Sequence, residues 1–351
     1  MSKHMQKLRV LMEENNVEVV LVSNLKNLRY FSGFSGSAGL LLVLPDRAIL
    51  FTDFRYVEQA QEEAPACEIV QHGANIYSDI DKYLHEINKI GFEASYVTVE
   101  MFDRMQKNMP GKDWLAVKLD AIRMIKDELE LSYIEEAVDI ADRAFTKLLP
   151  ELRLGMTELQ AAALLEFYLK QEGASRTSFP TIVASGNRSS LPHGQPTDKK
   201  IQAGDFVLFD FGAVYNGYCS DITRTVVMGE ASEKQKEIYS LVLSAQLACL
   251  EGLKPGITGK EGDSYARNVI KQAGYGNLFG HGTGHSLGLN IHEDPRLSPA
   301  CETMLEPNML LTVEPGVYIP DWGGVRIEDL VVITDNGCRI LTKTDKKLMQ
   351  L

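Results

Sequence analysis

Leu152-Arg153-Leu154-Gly155-Met156-Thr157 and Leu253-Lys254-Pro255-Gly256-Ile257-Thr258 repeat one pattern at an offset of 101 residues. Each copy introduces a helical segment that opens with a capping box, Thr157 with Gln160 and Thr258 with Glu261, and closes on a glycine at the C′ position, Gly173 and Gly274. Strand-rich sequence follows both copies. The duplication predicts two related halves, each a capped helix leading into strands.

The strands after the first helix carry acids. Phe206–Tyr215 and Tyr218–Val227 are strand-like runs separated by Asn216-Gly217, a pair that suits the two positive-φ positions of a type I′ turn. A two-residue loop sets Tyr215 against Tyr218, Asp210 against Thr223 and Asp221 against Gly212. Asp210 and Asp221 then share a face as diagonal neighbours, ~7–8 Å apart at the backbone, with Gly212 expected to leave the space between them empty of side chain. Two acids on the inner face of an apolar hairpin need positive charge close by, because an unpaired buried carboxylate is very costly. In the second half, Leu310–Ile319 and Val325–Ile333 flank Pro320-Asp321-Trp322-Gly323-Gly324, and pairing symmetric about Asp321 puts Glu314 across from Glu328. Pro315 cannot donate to a ladder and predicts a bulge or an edge. Between the hairpins, His281, His285 and His292 fall within 12 residues of a chain that has 7 histidines, interleaved with glycines that admit close approach of a ligand. Four carboxylates with an imidazole suit Mn2+, Co2+, Fe2+ or Zn2+, and two carboxylates can bridge a pair of ions ~3.5–4 Å apart.

A length of 351 residues suggests two domains. Residues 1–121 read as an α/β unit, with a helix around Leu8, Leu11 and Met12, a buried-type strand at Val17–Val22, and strands at Gly39–Leu44 and Ala48–Thr52. Residues 122–351 open on a long amphipathic helix reaching Phe145, with Ile134, Ala137, Val138, Ala141 and Phe145 on one face. With 36 Lys and Arg against 48 Asp and Glu, the net charge of -12 argues against nucleic acid as a partner. No apolar run approaches the ~20 residues of a membrane span, and the N-terminus lacks the ~7–15-residue apolar core of a secretion signal. The 5 cysteines are scattered and free of CxxC spacing, so a reducing cytoplasm is expected. The first five residues, where His4-Met5 resembles a cloning remnant, carry no weight.

FDFGAVYNGYCSDITRT, HGTGHSLGLNIHEDP, TVEPGVYI and GVRIED resemble the pita-bread metallopeptidases, the family of methionine aminopeptidase, aminopeptidase P and prolidase. The N-terminal part, with FSGFSGSAG and TDFRYVEQA, resembles the creatinase-type domain found in the proline-specific branch. The resemblance implies an α/β creatinase-like N-terminal domain followed by an α+β pita-bread catalytic domain with helices outside a curved antiparallel sheet. It implies Asp210, Asp221, His285, Glu314 and Glu328 as ligands of two divalent ions, Mn2+ ahead of Co2+, Zn2+ or Fe2+, with Asp221 and Glu328 bridging. His285 is taken over His281 because it stands seven residues before His292, the family spacing between the ligand and the second active-site histidine. His281 then becomes a pocket residue. His193 matches the family histidine that contacts substrate and stabilises the intermediate, His292 has similar work, and Tyr318 and Arg326 align with pocket residues. Glu314 is the candidate general base.

The activity implied is hydrolysis of the bond preceding proline. A dipeptidase, prolidase, is favoured over an aminopeptidase P acting on longer peptides. A metal-free creatinase-like amidinohydrolase would not need all five ligands, and non-enzymatic relatives typically lose some of them. A homodimer is expected from the resemblance alone.

Overall fold

The fold is seen in a computed structural model that describes residues 3–351. It forms two compact units, one ending at Arg123 and the other beginning at Met124. No helix among the described residues is long and apolar enough to cross a membrane.

The first unit begins with α1 (Lys3–Glu14), which buries Met5, Leu8 and Met12, and continues through β1 (Val19–Val22), α2 (Leu25–Ser32), β2 (Leu40–Val43) and β3 (Ala48–Thr52). Next come α3 (Val57–Glu63), β4 (Glu68–Gln71), α4 (Ile76–Asp81), β5 (Lys89–Phe92), α5 (Val99–Asn108) and β6 (Asp113–Ala116). The sheet order is β4-β3-β2-β1-β5-β6. Strands β1, β2 and β3 are antiparallel, whereas β4, β5 and β6 run parallel to their inner neighbours. Parallel neighbours need a crossover, and α3 and α5 supply it between β3 and β4 and between β5 and β6. All four residues of β1 and all four of β2 are buried, the continuous apolar pattern of central strands.

The second unit opens with α6 (Glu128–Leu148), whose buried face includes Ile134, Ala137, Val138, Ala141 and Phe145. There follow α7 (Glu158–Gln171), β7 (Arg176–Thr177), β8 (Ile182–Ser185), β9 (Phe206–Phe211), β10 (Ala213–Tyr215), β11 (Tyr218–Cys219) and β12 (Ile222–Val227). The second half contains α8 (Glu233–Gly252), α9 (Gly259–Gln272), β13 (Gly284–Ser286), β14 (Glu293–Leu297), β15 (Leu310–Val313), β16 (Gly316–Ile319), β17 (Gly323–Arg326), β18 (Asp329–Ile333), β19 (Cys338–Ile340) and β20 (Met349–Gln350). The repeat is visible in α7 and α9, which have 14 residues each and both start on a complete capping box. Gly173 (φ 113°) and Gly274 (φ 88°) follow their ends in the left-handed region that only glycine enters cheaply. Aromatic stacking of Phe145 on Phe211, 5.2 Å between centroids, fastens α6 to the first half's strands.

Asn216 and Gly217 both take positive φ, 43° and 83°, as a type I′ turn requires. The register follows the expectation: Tyr215 faces Tyr218 and Asp210 faces Thr223. The reading of Gly212 needs correction. A Cβ there would lie 1.9 Å from the Ser220 carbonyl oxygen, so glycine is required by backbone contact and not by room for ligands. In the second half, Val313 pairs with Asp329 and Gly316 with Arg326, one register about Asp321. The ladder breaks between them, at Pro315. There the Glu314 N–H turns to the Thr283 carbonyl (2.8 Å) and the Glu328 N–H to the Thr223 carbonyl (3.2 Å). Proline's missing donor therefore frees both acids from their own hairpin and joins them to neighbouring strands.

Candidate active site

The two interrupted hairpins bring their acids together. Asp210 is the last residue but one of β9, Asp221 precedes β12, Glu314 sits between β15 and β16, and Glu328 sits between β17 and β18. All four line a cavity of about 470 Å³ with His193, His281, His285, His292 and Arg326. Asp221, His285 and Glu328 each offer a ligand atom within 4.8 Å of the others. His285 Nε2 lies 3.5 Å from Asp221 Oδ2 and 3.4 Å from Glu314 Oε1.

The chemistry of these atoms is one-sided. His285 Nδ1 faces the Ser286 carbonyl at 3.0 Å, and a carbonyl only accepts, so the ring proton sits on Nδ1 and the Nε2 lone pair points at the carboxylates. Burial pushes the His285 pKa down to about 3, which keeps the ring neutral. Asp210 Oδ1, Asp221 Oδ1 and Glu328 Oε1 are buried without a hydrogen-bond partner among the described residues. Burial, and then repulsion from the neighbouring carboxylates, pushes Asp221 and Glu328 well above the ordinary carboxylate range. Glu314 is raised to about 7, chiefly by burial and partly against the pull of Arg326. Three buried oxygens that no donor engages, crowded among further carboxylates and facing an imidazole lone pair, fit hard or borderline divalent cations.

One buried guanidinium organises the surroundings. Arg326 donates to Asp210 Oδ2 (2.5 Å), the Thr223 hydroxyl (3.0 Å), the Tyr318 hydroxyl (2.9 Å) and the Pro192 carbonyl (3.1 Å). Thr223 in turn donates to Glu328 Oε2 at 2.7 Å, and Thr312 to Glu314 Oε1 at 3.1 Å. His281 Nε2 lies 2.9 Å from the Tyr318 hydroxyl, and burial lowers its pKa to about 4. Tyr318 is buried behind the cavity and does not line it, whereas His193 and His292 are exposed within it. The rings of His285 and His292 meet edge to face at 4.5 Å. Sequence reasoning passed over Thr223, Thr312 and Arg296. Thr223 had a signal in the hairpin register opposite Asp210, and Arg296 had one in its closeness to His292, four residues along the chain.

A cation-seeking cluster held by the two hairpins of a duplicated α+β domain defines a pita-bread metallohydrolase. Residues 132–335 match the model of metallopeptidase family M24, and residues 4–125 match the Creatinase/Prolidase N-terminal domain. The chain belongs to metallopeptidase family M24, with a creatinase-like domain ahead of its catalytic domain. It is 43% identical to an Xaa-Pro dipeptidase of Pyrococcus furiosus, over 99% of this chain and 100% of the relative. Its structure is similar to that of an Xaa-Pro dipeptidase from Bacillus anthracis (TM-score 0.97, 44% identity, 99% of each chain). It is also similar to an X-Pro aminopeptidase from Thermotoga maritima (TM-score 0.92, 39% identity, 99% of each chain).

Proposed function

We propose that this metallopeptidase is an Xaa-Pro dipeptidase that works with two divalent cations, Mn2+ first among the candidates. Full-length relatives named Xaa-Pro dipeptidase, at 42% and 43% identity, support proline specificity. The observation that carries the dipeptide preference is Arg296. It lines the cavity, pairs across the β13–β14 ladder with His285, and its guanidinium makes no hydrogen bond or ion pair among the described residues. Cross-strand partners share a face, so a free guanidinium stands beside the acid cluster, where it suits the carboxylate that ends a dipeptide. A longer peptide would present a neutral amide there.

Asp210, Asp221, His285, Glu314 and Glu328 would hold the cations, with Asp221 and Glu328 shared between them. Such ions, when bound, bring the pKa of a water toward neutrality and polarise the scissile carbonyl. Glu314, one oxygen tethered by Thr312, takes the proton of the attacking water on its other oxygen and delivers it to the departing proline nitrogen. His193 and His292 donate to the carbonyl oxygen as negative charge develops on it. Tyr318 and His281 keep Arg326 aimed at Asp210. Proline carries no N–H for a peptidase to grip, and the apolar wall of Phe179, Pro180, Ile182 and Ile291 supplies shape in its place. We assign the enzyme to a homodimer in the cytoplasm.

Hydrolysis of Ala-Pro and Ala-Pro-Ala by chelator-stripped protein, with and without Mn2+, tests this reading. Mn2+-dependent cleavage of the dipeptide is expected, with the tripeptide a poorer substrate. Losing charge-assisted hydrogen bonds of about 1.5–3 kcal/mol, Arg296→Ala should raise KM for Ala-Pro roughly 10- to 100-fold and leave the tripeptide little affected. Preference for the tripeptide would make the enzyme an aminopeptidase, and cleavage of neither would end the proline reading.

A further inference from the structure

Glu158 does not line the cavity, yet it is fully buried at the first turn of α7. A carboxylate withdrawn from water persists only when its lone pairs are engaged, and those of Glu158 are engaged by one segment of chain. Oε1 accepts from the Ser185 N–H (2.7 Å) and the Ser185 hydroxyl (2.9 Å), and Oε2 from the Thr197 N–H (3.0 Å) and the Thr197 hydroxyl (2.8 Å). Arg188 Nε reaches both oxygens, at 3.3 and 3.1 Å. Ser185 and Thr197 are the two ends of the loop 186–196, so a single carboxylate closes that loop. The same Arg188 spans it from within, donating to the Gln195 carbonyl at 2.7 Å. The α7 terminus completes the closure, because the Leu159 N–H donates to the Thr197 carbonyl at 3.0 Å.

The loop carries His193, whose side chain is exposed in the cavity and makes no hydrogen bond among the described residues. With no hydrogen bond to hold the ring, the place of its imidazole depends on where the loop backbone sets the Cα–Cβ bond. The loop also carries Pro192, whose carbonyl receives Arg326. We propose that Glu158 is a positioning residue of the active site: by closing the 186–196 loop it sets the His193 imidazole over the acid cluster. The inference rests on the reading that His193 acts on the substrate.

The test uses the full-length, Mn2+-loaded protein, with Ala-Pro as substrate and hydrogen exchange of the 186–196 amides as a second readout. Glu158→Gln keeps the shape but turns one acceptor into a donor facing N–H groups. It should speed exchange in 186–196 and lower kcat on the order of 10- to 100-fold, the loss expected of a displaced group, with metal content and KM near those of the parent. In a His193→Ala background the same change should lower kcat no further. Leu165→Ala, a core truncation in the same helix, should reduce thermal stability and leave kcat per folded molecule intact. An equal fall in both backgrounds, or an unchanged kcat or unchanged exchange in Glu158→Gln, would overturn the proposal. A His193→Ala enzyme with parental kcat would instead defeat the reading of His193, and exchange alone would then decide whether Glu158 holds the loop. Should Glu158→Gln fail to fold, Thr197→Val, which removes the hydroxyl that donates to Glu158 and accepts from the Lys199 N–H and keeps the carboxylate, should show the same effects in smaller measure.

Discussion

Asp221 and Glu328 differ from an ordinary pair of buried acids in what lies opposite them. Each keeps a buried oxygen with no donor among the described residues, while the second oxygen of Glu328 is aimed by Thr223. That division of labour, one oxygen oriented by the protein and one left for a cation, is how supporting residues tune a metal ligand. Asp221→Asn and Glu328→Gln keep the volume and remove the charge, so both should abolish Ala-Pro hydrolysis and lower bound metal in an elemental assay of the purified protein. Thr223→Val should cost only the roughly 10- to 100-fold typical of a lost supporting hydrogen bond. Full activity in either acid variant would remove that residue from the shared-ligand assignment.

At the scale of elements, the site depends on where strands stop pairing. Between β9 and β10 the chain passes so close to Ser220 that only glycine fits at 212. Ala213 compensates by donating its N–H to the Ser220 hydroxyl at 3.0 Å. Gly212→Ala should therefore cost more than the ~1–3 kcal/mol of ordinary overpacking, because a carbonyl and not a flexible side chain has to move. A lower urea midpoint and reduced metal retention are expected together, since the same shift parts Asp210 from Asp221. Gly280, around which a Cβ would meet nothing within 4 Å, supplies the control: Gly280→Ala should unfold near the parental midpoint. Equal midpoints for the two variants would show that the close approach does not constrain the hairpin.

For the molecule as a whole, the acid cluster makes stability depend on bound metal and on pH. In the metal-free protein, burial and mutual repulsion hold Asp221 and Glu328 above the ordinary range, and burial holds Glu314 near 7. Such groups bind more protons folded than unfolded, so they lower stability as pH rises. His281 and His285, held by burial at about 4 and about 3, act in the opposite sense, but only below the ordinary histidine value of 6.5. From about pH 6.5 to about 8 the carboxylates act alone, and the chelated protein should melt at progressively lower temperature. Mn2+ should raise the melting temperature and flatten the slope, because an ion bound only by the folded state adds stability. A chelated protein whose melting temperature is flat or rising over that range would contradict a buried cluster in which one guanidinium faces four carboxylates.

Much of this was legible beforehand because it is local. Two capping boxes, an Asn-Gly turn and a proline in a strand act over a few residues, and they specify two matching helices, two hairpin registers and one break in a ladder without reference to the rest of the chain. Which acids lie near one another followed from those registers, and their assignment as cation ligands from the family resemblance. Tertiary structure alone decided what each acid meets. Thr223 reaches Glu328 across 105 positions and Arg326 reaches Asp210 across 116, separations over which no local pattern sets an atom's position. For the same reason Gly212 was misread as a space for ligands, Arg296 went unnoticed, and the closing of the His193 loop by Glu158 came into view only once α7 and the loop lay side by side.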